Sequence, residues 1–177
     1  MSQEASDNKS AIRREMRARL RELSSAEKKN ASQDFRAELS QLNLTSCALF
    51  AGTATEPDLL PLLEEHPETT LFLPKVISEG EMIFIRVDHK TELKPGAFGI
   101  LEPEGEPIDP SEIKTIICPG IAFTKEGHRL GQGGGFYDRF LEKAPNAKTI
   151  GVGFSFQLIE HLPTESHDAQ MEQLILK

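Results

Sequence analysis

Apolar positions in the first part of the chain return at helical spacing. Between Lys9 and Leu23 they recur every three or four residues, which predicts one stripe of an amphipathic helix. The stripe consists of Ile12, Met16, Leu20 and Leu23. Ser24 followed by Glu27 is the pattern of a capping box, so a second helix is predicted to begin there. Its apolar face would consist of Ala31, Phe35, Leu39 and Leu42. Residues 1–43 are therefore expected to form a helical pair.

After this pair the pattern changes to short apolar runs bounded by turn residues, which is typical of buried strands. The predicted strands are residues 47–51, 70–77, 81–87, 113–118 and 149–154. The second of them is expected to be broken near its end by Pro74. Segments 57–65 and 136–143 are predicted as helices, the first because it has a proline at an early helical position. Residues 94–110 are rich in glycine and proline and are predicted to be a loop.

This alternation of strands and helices predicts an α/β fold. We expect a single three-layer domain over residues 1–177, in which helices flank a central, mostly parallel sheet. The N-terminal helical pair is expected to pack on that domain. At 177 residues the chain has a length that suits one domain.

Composition and charge exclude several classes of protein. No apolar run approaches the ~20 residues that a membrane-spanning helix requires, and residues 1–9 lack the apolar centre of a secretory signal. The formal net charge of −8 argues against broad nucleic-acid binding. We therefore expect a cytoplasmic protein that binds neither membrane nor nucleic acid, and we expect it to be monomeric. Cys47 and Cys118 lie in apolar runs and are expected to be reduced thiols in the core.

A cluster of glycines directly before the predicted helix 136–143 is the strongest chemical signal. Glycine lets the backbone approach a ligand closely, and a loop at a helix N-terminus directs free N–H groups toward an anion. Arg129 offers a fork of donors that suits phosphate oxygens. Asp138, in the first helical turn, places a carboxylate where a magnesium ion bridging phosphates can be held. The glycines are Gly131, Gly133, Gly134 and Gly135.

This loop does not follow the commoner nucleotide-binding patterns. No Gly-Lys-Ser/Thr follows the glycines, so the segment is not a P-loop. Ten residues separate Cys118 from Arg129, which is too many for the tight turn of a dinucleotide-binding fold. A glycine cluster alone also suits a flexible surface turn, and the flanking Arg129 and Asp138 are what favour a phosphate site.

The segment Arg129–Arg139 (RLGQGGGFYDR), preceded by Pro-Gly-Ile-Ala-Phe, closely resembles the signature of the 5-formyltetrahydrofolate cyclo-ligase (methenyltetrahydrofolate synthetase) family. The resemblance extends over nearly the whole chain, because weaker blocks occur in the family's order. These blocks are residues 9–13 (KSAIR), 72–75 (FLPK), 98–103 (FGILEP) and 162–168 (LPTESHD). The chain departs from the common family pattern at Thr124, Phe136 and Glu172.

The resemblance implies an enzyme that closes the ring of 5-formyltetrahydrofolate to give 5,10-methenyltetrahydrofolate, with ATP as co-substrate and Mg²⁺ as cofactor. In this reaction the γ-phosphoryl group is transferred to the formyl oxygen, N10 attacks the activated carbon, and ADP and phosphate are released. The implied fold is similar to that of sugar-phosphate isomerases and CoA transferases.

The resemblance also implies roles for individual residues. Those implied to bind ATP are Lys9, Ser10, Ala11, Ile12, Arg13, Lys75 and the run Arg129, Leu130, Gly131, Gln132, Gly133, Gly134, Gly135, Phe136 and Tyr137. Those implied to bind the folate are Arg13, Phe50, Glu56, Phe98, Gln132, Gly133, Gly134, Gly135 and Phe136. The implied catalytic residues are Arg129, Tyr137 and Asp138. The implied magnesium ligands are Asp138 and Asp168.

Simpler interpretations of these residues stay open at the level of sequence. Lys9 and Arg13 also suit a solvated basic face of the first helix, and Tyr137 also suits a ring packed in the core. Lys75 also suits an exposed strand end. Two other functions remain as alternatives: a non-catalytic folate- or nucleotide-binding module, and an enzyme resembling the sugar-phosphate isomerases. Similarity of fold alone does not decide between them.

Overall fold

Within residues 3–165 and 168–177, which the computed structural model describes, the chain forms four α-helices and ten β-strands. The helices are α1 (Gln3–Glu22), α2 (Ser25–Ser40), α3 (Leu62–Glu65) and α4 (Phe136–Lys143). The first five strands are β1 (Ser46–Ala48), β2 (Thr70–Ser78), β3 (Glu81–Val87), β4 (Leu93–Pro95) and β5 (Leu101–Pro103). The others are β6 (Thr115–Pro119), β7 (Ala122–Phe123), β8 (Arg129–Leu130), β9 (Lys148–Gly153) and β10 (Gln173–Leu176).

Six of these strands form the central sheet, in the order β10-β9-β6-β1-β2-β3. All neighbours pair in parallel except β2 and β3, which form an antiparallel hairpin at one side. The predicted α/β class with a mostly parallel sheet is therefore confirmed. Because the parallel strands share one direction, their carboxyl ends lie along a single edge, here called the carboxyl edge; the opposite edge is the amino edge.

Helices cover both faces of the sheet and bury two apolar clusters. Met16 of α1 and Phe35 of α2 are almost fully buried with strand residues such as Leu73 on one face. On the other face, Phe140 of α4 packs against Phe84 of β3 with ring centroids 4.6 Å apart. Burial of each such side chain stabilises the fold by about 1.5–3 kcal/mol. The flanked sheet is thus the three-layer arrangement that the sequence predicts.

The N-terminal pair begins earlier than its apolar stripe but turns where predicted. The N–H of Glu27 donates to Ser24 Oγ at 3.2 Å, and the N–H of Ser24 donates to Glu27 Oε2 at 2.8 Å. These reciprocal bonds confirm the capping box at the start of α2. The first helix starts at Gln3 because polar residues such as Gln and Glu are themselves good helix formers.

The predicted interruption of the second strand at Pro74 is wrong, because β2 runs unbroken from Thr70 to Ser78. The carbonyl of Phe72 points toward β1 and accepts a hydrogen bond from the N–H of Leu49 at 2.9 Å. The backbone N–H and C=O groups of successive residues point alternately to the two sides of a strand, so the nitrogen of Pro74 faces β1, as the carbonyl of Phe72 does. The ladder with β1 ends at Phe72, and a missing N–H at Pro74 therefore breaks no hydrogen bond.

Two other predicted elements are corrected. The helix predicted over residues 57–65 is reduced to α3, because a residue before proline avoids the helical conformation and Pro61 stands inside that segment. Residues 94–110, predicted as loop, contain β4 and β5, which pair antiparallel through a turn in which Phe98 has φ 57°. The sequence prediction also missed β10. Among the described residues, no helix is long and apolar enough to cross a membrane.

Cys47 and Cys118 are free and fully buried, as predicted. Burial raises the pKa of both thiols, that of Cys118 to about 12. Both therefore stay protonated at neutral pH and act as small apolar side chains.

Candidate active site

The glycine loop, residues 131–135, lies at the carboxyl edge of the central sheet. The chain leaves β6 at Pro119 and makes the short hairpin β7–β8, in which the N–H of Ile121 donates to the carbonyl of Leu130 at 2.7 Å. The loop then enters α4, with Gly135 at the N-cap. The predicted arrangement of a glycine loop before a helix at 136–143 is confirmed.

The loop conformation requires glycine and leaves backbone donors unpaired. Gly133 has φ 112° and Gly135 has φ 66°, a region that side chains other than glycine rarely adopt. Within the part of the chain that the structure describes, the N–H groups of residues 132–135 donate no hydrogen bond. Unpaired N–H groups at the start of a helix suit an anion.

An ion pair between a buried arginine and a half-buried aspartate lies beside the loop. Arg129 Nη2 donates to Asp138 Oδ1 at 2.8 Å, and Arg129 Nη1 donates to the carbonyl of Pro119 at 3.2 Å. Arg129 is only 5% exposed. A charge buried to that degree requires a charged partner, because an unpaired guanidinium would lose its hydration without compensation. The two residues that the sequence singled out around the loop are therefore brought together.

Tyr137 lies against the same guanidinium, which is 5.5 Å from the centre of its ring. In the described residues, the Tyr137 hydroxyl and Arg129 Nε are buried without a hydrogen-bond partner. Burial, assisted by the nearby Cys118 and Glu56, raises the pKa of Tyr137 well above its usual value. The hydroxyl is therefore protonated and is a donor for a group that enters the site.

Lys9 of α1 contacts the C-terminal segment of the chain. Its Nζ donates to Asp168 Oδ2 at 2.6 Å and to Glu165 Oε2 at 3.0 Å, and the residue is 6% exposed. Burial by itself lowers the pKa of Lys9, but the hydrogen bonds and charges of Asp168 and Glu165 outweigh it and raise that pKa. Lys9 is therefore a buried cation and not a solvated charge on a helix face.

Two arginines that follow Lys9 at intervals of four residues contact the glycine loop. Arg13 Nε donates to the carbonyl of Gly131 at 2.9 Å. Arg17 donates to Gln132, at 2.8 Å to the side-chain oxygen and at 3.1 Å to the carbonyl. Burial and the neighbouring Arg17 lower the pKa of Arg13, and Asp168 opposes this shift. Arg13 and Arg17 therefore contact the loop from α1, and Lys9, at the same four-residue spacing, contacts the C-terminal segment.

The two predicted magnesium ligands are close in space, because the backbone that follows Asp168 contacts the side chain of Asp138. The N–H of Ala169, which follows Asp168, approaches Asp138 Oδ1 at 3.4 Å. Both this contact and the bond from Arg129 use Oδ1, and Asp138 Oδ2 takes part in neither. Among the described residues no group of three or more His, Cys, Asp or Glu side chains suits a metal ion. Magnesium needs only one or two carboxylates beside phosphate oxygens and water, so the residues present fit it.

An aromatic pair, the exposed Phe98 and the half-buried Phe136, borders the loop near α4. Phe98 is 79% exposed, and its ring meets that of Phe136 edge-on with centroids 6.2 Å apart. Lys75 of β2, which is also among the predicted ATP-binding residues, forms an ion pair with Glu104 at 2.7 Å. Phe98 and Phe136 are thus brought to the rim of the site, whereas Lys75 has a partner of its own.

The segment after β1 places Phe50 and Glu56 differently. Phe50 is 3% exposed and packs in the cluster beneath α1 and α2. Glu56 Oε2 accepts from the N–H of Thr53 at 3.0 Å, and its charge acts on the Tyr137 hydroxyl. The structure therefore brings Glu56 toward the loop and gives Phe50 a core position. Ser10, Ala11 and Ile12 lie on α1 between Lys9 and Arg13.

Sequence reasoning missed three residues with contacts at this site: Arg17, Arg139 and Glu165. Arg139 donates through Nε to the carbonyl of Gly80 at 2.6 Å and through Nη2 to the carbonyl of Gly134. A signal existed for Arg17, since it continues the four-residue spacing of Lys9 and Arg13. No local pattern distinguishes Glu165 from the other acidic residues of the chain, because its partner is 156 residues away in sequence.

A family model, relatives in sequence and solved structures all relate this chain to the same family. Residues 5–177 match the model of the 5-formyltetrahydrofolate cyclo-ligase family. The chain is 34% identical over 137 residues to the 5-formyltetrahydrofolate cyclo-ligase of Escherichia coli K12, with 72% of this chain and 75% of that one covered. It is 36% identical over 122 residues to that of Haemophilus influenzae, with 66% of this chain covered. That alignment spans 59% of the length of the Haemophilus protein.

Solved structures agree with the sequence comparison. The NMR structure of Aquifex aeolicus 5,10-methenyltetrahydrofolate synthetase superposes with a TM-score of 0.85 at 37% identity, covering 95% of this chain and 89% of that one. The synthetase from Mycoplasma pneumoniae superposes with a TM-score of 0.75 at 27% identity, covering 94% and 97%. With the match over residues 5–177, these similarities show that the chain belongs to the 5-formyltetrahydrofolate cyclo-ligase family.

Proposed function

We propose that the protein catalyses the ATP- and Mg²⁺-dependent conversion of 5-formyltetrahydrofolate to 5,10-methenyltetrahydrofolate. Family membership supports this reaction, and the site contains groups that such a reaction needs. The observation that carries the proposal is the glycine loop, where four consecutive N–H groups without partners in the described residues adjoin the buried Arg129 and its partner Asp138. Donors left unpaired beside a buried cation suit the oxygens of a triphosphate.

The chemistry explains why a nucleotide is required. The formyl carbon is part of an amide, and its oxygen is a poor leaving group. Transfer of the γ-phosphoryl group forms a bond from phosphorus to the formyl oxygen and breaks the bond to ADP. The folate's N10 then attacks the formyl carbon and loses its proton, and the carbon–oxygen bond breaks to release phosphate. The enzyme mainly has to position these groups and neutralise charge.

The residues around the loop would bind different parts of the nucleotide. The backbone N–H groups of Gly131, Gln132, Gly133, Gly134 and Gly135, with Arg129 and Lys9, would bind the phosphates. Arg13 and the adjoining Ser10, Ala11 and Ile12 of α1 would border the nucleotide, as would Leu130. Lys75 would reach a phosphate only by leaving Glu104, with which it is paired at 2.7 Å.

Asp138 and Asp168 would hold the magnesium ion, and their adjacent positions support this role. When bound, the ion neutralises phosphate charge during phosphoryl transfer. Arg129 keeps Asp138 oriented through its bond to Oδ1, and Lys9 does the same for Asp168. The protein thus arranges two carboxylates, each fixed by a buried cation, beside the glycine loop.

Tyr137 would act as a donor to the reacting groups. Its hydroxyl is buried beside Arg129 without a partner in the described residues, and its raised pKa keeps the proton in place. A neutral phenol cannot act as a base at neutral pH, so its contribution is a hydrogen bond to an oxygen that gains negative charge.

The folate would bind along the rim formed by Phe98 and Phe136, with Glu56 on the opposite side. The exposed ring of Phe98 suits the flat pterin, because stacking would remove the facing surfaces of both rings from water. A carboxylate such as Glu56 suits the pterin's N–H groups as an acceptor. Arg13 of α1, which donates to the carbonyl of Gly131, and Gln132 of the loop would complete the proposed substrate contacts. Phe50 would contribute from beneath, as part of the packed floor.

An absorbance assay tests the reaction. Purified protein is mixed with 5-formyltetrahydrofolate, ATP and magnesium, and the near-ultraviolet band of the methenyl product is followed beside mixtures that lack one component. We expect product only in the complete mixture. Nucleotide binding without product would instead favour a folate- or nucleotide-binding module, and turnover of a sugar phosphate without ATP would favour an isomerase.

A further inference from the structure

Three arginines from two different elements bind the carbonyl groups of the glycine loop. Arg13 and Arg17 of α1 donate to the carbonyls of Gly131 and Gln132, and Arg139 of α4 donates to that of Gly134. We propose that these guanidinium groups fix the peptide planes of the loop and so hold its N–H groups ready for phosphate. In this scheme Arg17 and Arg139 are positioning residues for nucleotide binding. The inference rests on the proposed function, since it concerns how the loop binds ATP.

The geometry of the peptide bond links each held carbonyl to the direction of the next N–H. A trans peptide is planar, and its C=O and N–H point in opposite directions. Holding the carbonyl of residue 131 therefore turns the N–H of residue 132 away from the arginine. The same applies to residues 133 and 135, whose preceding carbonyls are held by Arg17 and Arg139. These N–H groups have no partner within the described residues, so they remain available to an anion.

A glycine loop without such anchors would be a poor binding site. Glycine has more backbone freedom than other residues, so an unanchored loop would lose much entropy on binding. Charge-assisted hydrogen bonds from arginine to carbonyl oxygens are stronger than neutral ones. Anchoring the carbonyls before ATP arrives therefore removes part of the cost of ordering the loop.

Arg139 shows this role most clearly. It joins the loop to the turn between β2 and β3, because it also donates to the carbonyl of Gly80 at 2.6 Å. Two glycines make room for its guanidinium: a Cβ at Gly80 would overlap it, and a Cβ at Gly135 would lie 2.8 Å from Nη1. Both glycines have positive φ, of 73° and 66°. A side chain in place of either glycine would therefore require the Arg139 guanidinium to move.

Each positioning residue has a matched control on its own helix. Lys143 lies one turn after Arg139 and also ties α4 to the β2–β3 hairpin, through Glu81 at 3.2 Å, but it does not contact the loop. Arg21 lies one turn after Arg17 on α1 and is exposed. The variants to compare are Arg139→Met with Lys143→Met, and Arg17→Met with Arg21→Met.

The experiment measures ATP affinity and the loop amides together. Protein labelled with ¹⁵N-glycine is titrated with Mg·ATP, and the KM for ATP and kcat are measured on the same samples. We expect ATP to shift the Gly133 and Gly135 amide signals in the wild type. Arg139→Met should lose the Gly135 shift, Arg17→Met the Gly133 shift, and each should raise the KM for ATP about tenfold. Both control variants should behave like the wild type.

The outcomes separate this inference from the proposed function. A wild type that binds Mg·ATP with shifted glycine amides but makes no methenyl product would contradict the function and support the inference. Active enzyme whose Arg139→Met and Arg17→Met variants keep the amide shifts and the KM for ATP within twofold of wild type would overturn the inference. An equal rise in KM for Lys143→Met would overturn it too, because general loosening of α4 would then account for the effect.

Discussion

At the amino edge of the central sheet, polar side chains bind near neighbours. Ser40 Oγ lies 2.6 Å from His66 Nε2, and His66 Nδ1 lies 3.2 Å from Glu68 Oε1. Thr69 Oγ1 donates to the carbonyl of Leu44 at 3.0 Å. A cleft at this edge has largely apolar walls that include Leu39, Leu62 and Leu71. These groups join the end of α2 to the turn before β2 and are satisfied by one another.

At the carboxyl edge, charged side chains are buried and bind across the length of the chain. Lys9 meets Asp168, 159 residues away, and Arg13 meets the carbonyl of Gly131, 118 residues away. Here the hydroxyl of Tyr137 and the N–H groups of the glycine loop lack partners among the described residues. Burial of the Tyr137 hydroxyl without a partner has a cost in folding free energy that a bound ligand would offset, and the exposed N–H groups of the loop are open to an anion.

The difference teaches where to look for function in an open α/β sheet. Ligands of such folds bind at the carboxyl edge of the strands, and this protein has its unsatisfied polar groups there. The Ser40–His66–Glu68 chain resembles a catalytic triad in residue types. Ser40 Oγ, however, donates to the carbonyl of Arg36 at 2.7 Å, so its proton is already engaged. Variants at the carboxyl edge should therefore lower activity, whereas a variant at the amino edge should leave activity nearly unchanged.

Asp138→Asn should have the largest effect. It keeps the size of the side chain but removes the charge that Arg129 and the proposed magnesium ion share, so kcat should fall by about 10²–10³-fold. Activity is measured with the absorbance assay, and circular dichroism checks that the variant is folded. Turnover within tenfold of the wild type would contradict the role given to Asp138.

Lys9→Met should have the next largest effect, because it leaves Asp168 and Glu165 close together without their cation. We expect the KM for ATP to rise about tenfold or more and the free energy of unfolding to fall by about 1–3 kcal/mol. Urea unfolding measures the second quantity. An unchanged stability would mean that the Lys9 contacts contribute nothing to the fold.

The pH dependence of that stability difference has a definite sign. The folded-state pKa of Lys9 is raised above its usual value of 10.5, so the ion pair's contribution is fully present below that value. It is lost as the pH rises through the folded-state pKa. The difference between wild type and Lys9→Met should thus be constant from pH 7 to 9 and shrink above pH 10.5. A difference that grows with alkaline pH would contradict the assignment.

Tyr137→Phe should separate function from stability. Removing a buried hydroxyl that lacks a partner should leave the unfolding free energy unchanged or raise it by about 1 kcal/mol. The same change should lower kcat about tenfold, because a donor to the reacting groups is lost. Thermal unfolding and the absorbance assay give the two numbers. A variant that loses stability and keeps full activity would assign Tyr137 to the core instead.

Ser40→Ala at the amino edge should have the smallest effect. The hydrogen bonds of Ser40 are exposed, and we expect a change in stability of about 0.5 kcal/mol or less. Values of kcat and KM should stay within twofold of wild type, since the residue lies at the edge opposite the glycine loop. A loss of activity comparable to that of Tyr137→Phe would remove the distinction between the two edges.

Much of the fold could be predicted because its signals are local. The Ser24–Glu27 capping box fixes the start of α2, and the glycines before Phe136 fix the start of α4. The wrong prediction at Pro74 has a physical cause: the missing N–H of a proline breaks a hydrogen bond only if a strand lies opposite it at that point. That information lies in the pairing of β1 with β2, and no pattern within the strand contains it.

The site could be predicted only where a motif or a family resemblance marked it. Arg129 and Asp138 are close in sequence, and their pairing follows from the short hairpin between them. Arg139 closes the same motif, yet its partner Gly80 lies 59 residues away. Phe50 shows the opposite case, since a residue expected at the substrate is packed in the core. Long-range contacts of this kind depend on the assembled sheet.

The fate of the formyl oxygen tests the central claim most directly. 5-Formyltetrahydrofolate labelled with ¹⁸O in the formyl group is converted with ATP and magnesium, and the inorganic phosphate is analysed by mass spectrometry. If the γ-phosphoryl group is transferred to that oxygen, each phosphate released carries one ¹⁸O atom. Phosphate without the label, formed together with methenyl product, would contradict phosphoryl transfer to the formyl group at this site.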